Sequence, residues 1–350
     1  MEAIWITRHG GPEVLEVRTE SDPNPGPAQV RVRVRAAGLN FADIAARLGL
    51  YPDAPKPPCV VGYEAAGVID AVGEGVDAAL KGTPVLALSR FGAHADVLCV
   101  PKSQVAPMPV GMTFEEAAAL PVNYVTAYHA LFRVAALRAN ERVLVHMAAG
   151  GVGIAALQLC RTVPGVVTFG TASKVKHGAI CAEGCHHPID YHSVDYEREV
   201  RRLTGGAGVD VVLDPLGGKD WRKGYRLLRP AGRLVAYGFA NLVTGEKRKI
   251  WGSGRALLAT PLFTPLALMN DNRAVAGINV GHLWGEMEML AQELAALLEL
   301  YRAGSIRPQI DSTFGFDRAA DAHRRIQSRQ NVGKVLLLPD ARPTSPGAGG

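Results

Sequence analysis

At 350 residues the chain exceeds what one hydrophobic core usually holds, so two domains are expected. A composition of 48% hydrophobic and 20% charged residues excludes an extensively disordered protein. The net charge of +5 comes from scattered Lys and Arg, which argues against a nucleic-acid partner and mildly favours an anionic ligand.

The first residues, Met1 to Ile6, read as a strand and lack the basic region and apolar run of a secretion signal. Short β-type runs follow at 30–37, 67–72, 84–88 and 95–100, separated by Gly and Pro turns, which marks a β-rich first domain. Thr113 with Glu116 forms a capping box that opens a helix through Leu120. Apolar strands then alternate with helical stretches: 143–147, a helix at 154–161, then 166–170, 209–214 and 233–238. That alternation predicts a doubly wound parallel sheet, making the chain α/β. The apolar stretch 256–269 is too short to span a bilayer and is broken by Pro261 and Pro265, so no integral membrane segment is expected. Met287, Leu290, Leu294, Leu297, Leu298 and Tyr301 recur at helical spacing, and 333–338 is the last strand. The tail 340–350 is polar, turn-rich and expected to be disordered. Five cysteines, an odd number, predict free thiols and a cytoplasmic location.

The strongest chemical signal is the turn Ala148-Ala149-Gly150-Gly151-Val152-Gly153. Small residues there let a strand turn sharply into a helix whose first amides can meet a pyrophosphate. A tight connection inside an α/β domain would read the same way, but the strand before and the helix after favour a dinucleotide. Where an NAD site places Asp or Glu on the adenosine ribose, the chain reads Gly170-Thr171-Ala172-Ser173-Lys174-Val175-Lys176. Ser173 and Lys176 offer a hydroxyl and a cation to a 2′-phosphate, which predicts NADPH; solvated lysines at a helix start are the alternative.

Further segments carry a resemblance: Gly38-Leu39-Asn40-Phe41-Ala42-Asp43 through Arg47-Leu48-Gly49-Leu50-Tyr51-Pro52, Gly62-Tyr63-Glu64-Ala65-Ala66-Gly67, and Asp214-Pro215-Leu216-Gly217-Gly218. Up to about residue 339 the chain resembles the zinc-independent quinone oxidoreductase branch of the medium-chain dehydrogenase/reductases. Through 145–153 and 236–242 it is most similar to the vesicle amine transport protein group. The resemblance implies a GroES-like substrate domain at 1–123 and 283–339, a Rossmann NADPH domain at 124–282, and a homodimer. It also implies cofactor contacts at Asn40, Thr126, Ala149, Gly150, Gly151, Val152, Gly153, Thr171, Ser173, Lys176, Tyr191, Leu216, Phe239 and Asn331. Zinc-dependent relatives carry their catalytic ligands at positions that here fall on Asn40, Tyr63 and near Val122, none of them competent. Their four-cysteine lobe is reduced to 89–94, so no metal is expected. Cys181, Cys185, His186 and His187 are a loosely spaced metal candidate, weighed against ordinary packing.

The expected chemistry is metal-free hydride transfer to an acceptor whose developing charge delocalises onto oxygen, such as an enone, a 2-enoyl thioester or a quinone. Tyr51 is the leading catalytic candidate, as proton donor or orienter, against a ring that merely packs. Asn40 is expected near the nicotinamide ribose or the substrate oxygen, against a loop-stabilising amide. The basic run 245–249 is either a solvated loop or an entrance that attracts an acyl-CoA. An NADPH-binding interaction protein with little turnover is the reading of another class.

Overall fold

The computed structural model describes residues 1–241 and 260–339. The basic run 245–249, the start of the apolar stretch 256–269, Leu242 and the tail 340–350 lie outside the described residues.

The N-terminal half builds β1 (Glu2–Ile6), β2 (Leu15–Thr19), β3 (Gln29–Leu39), helix α1 (Phe41–Arg47), β4 (Cys59–Val60), β5 (Glu64–Val72), β6 (Pro84–Leu88), β7 (Val97–Pro101) and β8 (Val105–Pro107). Strand β3 shows why these residues choose a sheet: Val30, Val32 and Val34 point into the core, while Arg31 and Arg33 face out and share Asp70 of β5 at 2.8 and 2.6 Å. Helix α1 was not anticipated, because its start signal is the pair Asn40 and Asp43, in which the carboxylate accepts the Asn40 amide at 2.8 Å.

After α2 (Phe114–Ala119), which carries the expected Thr113 and Glu116 box, come α3 (Pro121–Tyr128), β9 (Arg142–Val145), α4 (Gly151–Arg161), β10 (Val167–Ala172), α5 (His177–Ala182), β11 (His187–Asp190), α6 (Tyr196–Leu203), β12 (Val209–Asp214), α7 (Lys219–Leu227) and β13 (Leu228–Ala236). Beyond 260 lie α8 (Pro265–Asp271), β14 (Ala274–Gly277), α9 (Met287–Arg302), β15 (Ile310–Gly315), α10 (Ala319–Gln327) and β16 (Lys334–Leu338). Strands 9 to 14 form a six-stranded parallel sheet in the order β11-β10-β9-β12-β13-β14, the arrangement of a doubly wound Rossmann sheet. Val143, Leu144 and Val145 are wholly buried, as a central strand covered on both faces must be. Strand β13 starts five residues before the expected Arg233, since Leu228 already pairs with Val209 before an irregularity in the ladder.

The last strands return to the first domain. In the seven-stranded mixed sheet β16 lies between β15 and β3, antiparallel to β3 with Val335 opposite Leu39. That register carries Lys334 across from Asn40. Helix α9 buries Leu290, Leu294, Leu297 and Leu298 in the core that also holds α3 and α4, so it sits at the junction of the two halves. Across that junction the Gly333 amide donates to the Ala149 carbonyl at 2.8 Å, bringing the C-terminal strand to the glycine turn.

Candidate active site

The turn after β9 is shaped by its own packing. Met147 adopts φ +51°, Ala148 donates to the Thr171 carbonyl at 3.0 Å, and the Met147 amide donates to Thr171 Oγ1 at 3.2 Å. The Thr171 hydroxyl therefore braces the turn from beneath, where it also meets His146 Nδ1 at 3.1 Å. A side chain on Gly151 would collide with Asn123, and one on Gly153 would lie 2.7 Å from Ala148 Cα. Gly150 differs: its Cβ would meet only the Met147 carbonyl, at 3.2 Å, so this face of the turn is open. Gly150 begins α4 with no side-chain cap. The first-turn amides thus remain to bind an anion, aided by the helix dipole, and a dinucleotide pyrophosphate fits this cradle. Val152 is half-buried against the core and Ala149 is buried. Thr126 lies half-buried on α3, one turn beyond Asn123.

At the end of β10, Ser173 is half-buried and makes no capping bond with its side chain. Lys176 donates to the carbonyls of Arg329 and Asn331 at 2.6 and 2.8 Å, and burial pulls its ammonium below the usual lysine range. Asn331 turns its own amide to the Gly333 carbonyl at 2.9 Å. Ser173, Lys176 and Asn331 are thereby gathered at one place, together with a residue that sequence reasoning missed. Arg329, held at φ +55°, reaches the Ala240 carbonyl with Nη2 at 3.4 Å. Its only sequence signal is a cation two residues before Asn331. Tyr191 is exposed beyond β11, its ring centroid 4.3 Å from that of His192. Leu216 donates its amide to Asp214 Oδ1 at 2.6 Å, and Phe239 is 50% exposed with its ring against Trp221, so both stand at the C-terminal edge of the sheet.

A polar cluster lies buried between β3, β5 and β16, as the floor of the candidate cleft. Asn40 Nδ2 donates to Glu64 Oε1 at 2.9 Å, while Asn40 Oδ1 accepts from Lys334 Nζ at 2.6 Å. Lys334 also pairs with Glu64, whose second oxygen accepts the Val122 amide at 2.7 Å. Glu64 crosses to this point because Gly38 lies beside it; any side chain there would strike the carboxylate. The Asn40 amide is thus largely committed within the floor, with one of its two N–H groups still available to donate. Asp43 accepts from the Gly62 amide at 3.1 Å, and its burial raises its pKa.

Tyr51 lies on the loop that follows α1. Its ring is edge-on to Tyr63 at 6.3 Å between centroids, and a Cβ on Gly281 would lie 2.7 Å from its hydroxyl, so the phenol reaches the segment that follows β14. Burial raises its pKa, keeping it protonated. Beside it Asp53 meets His282 Nε2 at 2.5 Å, joining the loop after α1 to the same segment.

Residues 26–110 match the family model of the alcohol dehydrogenase GroES-like domain, and residues 183–337 match that of the zinc-binding dehydrogenases. The synaptic vesicle membrane protein VAT-1 homolog of Homo sapiens is 49% identical over 341 residues, covering 97% of this chain and 86% of the relative. The chain is a medium-chain dehydrogenase/reductase of the zinc-independent VAT-1 and quinone oxidoreductase group. Among solved members of this superfamily, Escherichia coli quinone oxidoreductase complexed with NADPH superposes with a TM-score of 0.84 at 28% identity, covering 97% of this chain and 100% of the other. The CurK enoyl reductase superposes with a TM-score of 0.81 at 28% identity, covering 96% and 98%. As a member of the group the chain is an NAD(P)H oxidoreductase with the two-domain fold of these enzymes.

One family model takes its description from zinc, and zinc does not fit this floor. An amide, a phenol and a valine stand at the ligand positions implied above, and the Lys334 ammonium already neutralises Glu64. The other metal candidate also does not converge: Cys181 is exposed, Cys185 is buried with its thiol pushed up to about 12, and His186 Nδ1 accepts the Thr168 amide at 3.2 Å. Among the described residues no group of three or more His, Cys, Asp or Glu side chains is placed to hold a metal ion.

Proposed function

We propose that the chain transfers hydride from NADPH to an activated, conjugated double bond, as in an enone or a 2-enoyl thioester. The observation that carries this reading is the cleft floor, where an Asn40–Glu64–Lys334 cluster stands in place of a Lewis acid and Tyr51 faces the cleft. Such a site favours an acceptor whose charge spreads onto oxygen, because a hydrogen bond then suffices to stabilise it. NADPH supplies the hydride when bound. The α4 amides hold its pyrophosphate, and Ser173, Lys176 and Arg329 bind the 2′-phosphate, Lys176 exchanging carbonyl partners for phosphate oxygens. Tyr191 and Asn331 flank the adenosine end. Leu216, Phe239 and Thr126 screen the nicotinamide end from water. Tyr51 donates a hydrogen bond, or its proton, to the acceptor, and the remaining N–H of Asn40 orients it.

A quinone acceptor is the second reading, favoured by the aromatic cluster of Tyr51, Tyr63 and Phe91, beside which a flat ring can pack. Following NADPH oxidation with enones, short enoyl-CoAs and quinones separates the two by relative kcat/KM. NADPH binding with no oxidation by any of them would leave the interaction-protein reading.

The chain also acts as a homodimer in this proposal. Leu262, and on α8 Leu266 and Met269, are 88%, 78% and 72% exposed beside β14, the edge of the six-stranded sheet. Light scattering should give twice the chain mass, and Leu266→Glu should return the monomer. No helix among the described residues is long and apolar enough to cross a membrane. The apolar packing of the free thiols Cys160 and Cys185 supports a reducing, cytoplasmic setting.

A further inference from the structure

Tyr63 lies on the connection between β4 and β5, and its main chain is pinned where its carbonyl accepts the Ser89 amide at 2.8 Å. Its ring is held between Tyr51, edge-on at 6.3 Å, and Phe91 at 5.3 Å. The residue is 6% exposed, yet its hydroxyl has no hydrogen-bond partner of good geometry. A phenol buried this deeply normally has one. The Asp43 carboxylate, whose charge bears on this phenol, accepts the Asn40 and Gly62 amides, one on each oxygen. Next to this hydroxyl is that of Tyr51, which stands between Tyr63 and Asn279 at the wall where the two domains meet.

We infer that Tyr63 is a second hydrogen-bond donor to the oxygen of the acceptor, forming with Tyr51 a phenol pair that holds the developing negative charge. The inference rests on the proposed reduction of conjugated acceptors and adds a residue to that site. Hydride adds to the β-carbon, the C=C electron pair moves onto the carbonyl oxygen as an enolate, and a proton from Tyr51 or solvent reaches the α-carbon as the nicotinamide is left oxidised. Tyr63 keeps its proton throughout. Burial and the neighbouring carboxylates of Asp43 and Asp53 push its pKa above the usual phenol range, so it keeps its proton at neutral pH. A desolvated phenol whose ring is already fixed by its neighbours needs little reorganisation as charge develops, which favours the transition state over the ground state.

The test is Tyr63→Phe, which keeps the ring between Tyr51 and Phe91. With an enone, kcat should fall about 10²- to 10³-fold while KM and NADPH affinity stay near wild type, the loss typical of removing one such donor. A second readout does not depend on turnover: a chromophoric phenol such as nitrophenol, titrated into the protein with NADP⁺, reports by its absorbance how well the site holds an oxyanion. Wild type should bind the ionised form, and Tyr63→Phe should bind it roughly tenfold more weakly, the effect of losing one charge-assisted hydrogen bond. Equal phenolate affinity and equal kcat in wild type and variant would overturn the role of Tyr63 while leaving the reductase intact. A wild type that binds phenolate in a Tyr63-dependent way but reduces no conjugated acceptor would retain the oxyanion site and overturn the proposed reaction instead.

Discussion

Lys334→Met removes the ammonium from the floor of the cleft and leaves Glu64 as an uncompensated carboxylate. Lys334 is 3% exposed and Glu64 is fully buried, so water cannot replace the lost partner. Glu64 would retain only two neutral donors, the Asn40 amide at 2.9 Å and the Val122 amide at 2.7 Å. Breaking one side of such a buried pair costs about 3–5 kcal/mol. With each domain unfolding as a unit, that corresponds to a fall in Tm of roughly 6–20 °C. Denaturant unfolding should show the loss directly, and Glu64→Gln placed on top of Lys334→Met should restore about half or more of it, because the unpaired charge is then gone. A loss below about 1 kcal/mol, with a double variant no more stable than the single one, would refute the view that the ammonium holds Glu64 and Asn40 in place.

The glycine turn predicts a split between two alanine substitutions. Gly153→Ala must displace the Ala148 backbone, 2.7 Å away, and should lower stability by about 1–3 kcal/mol; Gly150→Ala meets its nearest atom at 3.2 Å and should mainly weaken NADPH binding, measured by fluorescence titration and melting. Arg329→Ala should cost affinity for NADPH about tenfold or more and leave NADH binding nearly unchanged, since only NADPH carries the 2′-phosphate; equal losses for both would remove Arg329 from phosphate recognition. His323 is wholly buried with neither ring nitrogen bonded, and burial with Arg47 and His94 nearby holds its pKa well below 6.5. The unfolded chain therefore takes up this proton first as pH drops, so its contribution to stability is complete above about pH 6.5 and is lost below it, by up to about 1.4 kcal/mol per pH unit. His323→Leu should flatten the pH dependence of urea unfolding between pH 6.5 and 5, though not abolish it, because burial lowers the pKa of His146 in the same direction.

Much of the frame is legible in the sequence for a physical reason. The central strands of the parallel sheet are dominated by apolar residues, Val143 to Val145 in β9 and Val211 to Leu213 in β12, and the turn at 148–153 must be small because its neighbours leave no room at Gly151 and Gly153. Helix α1 is hidden, since seven residues give little periodicity and its cap residue, Asn40, resembles a site residue in isolation. Lys334 could not be found from the sequence. Its partner Asn40 is 294 positions away, and only the antiparallel register of β16 with β3 brings the two together. Arg329 was missed for a related reason, because its loop meets Lys176 only once the last strand has returned to the first domain. Tyr63 was legible as a residue that cannot bind zinc, but its unpaired hydroxyl is a property of the packed ring and of nothing local in the chain.

The central claim is that hydride passes from NADPH to a conjugated acceptor in this cleft. It is tested most directly with NADPH deuterated on one face of the nicotinamide C4, incubated with the protein and an enone or enoyl thioester, and mass analysis of the product. The account predicts deuterium at the β-carbon from one of the two C4-deuterated forms and none from the other. Tight NADPH binding with no deuterium in the product of any conjugated acceptor would contradict it.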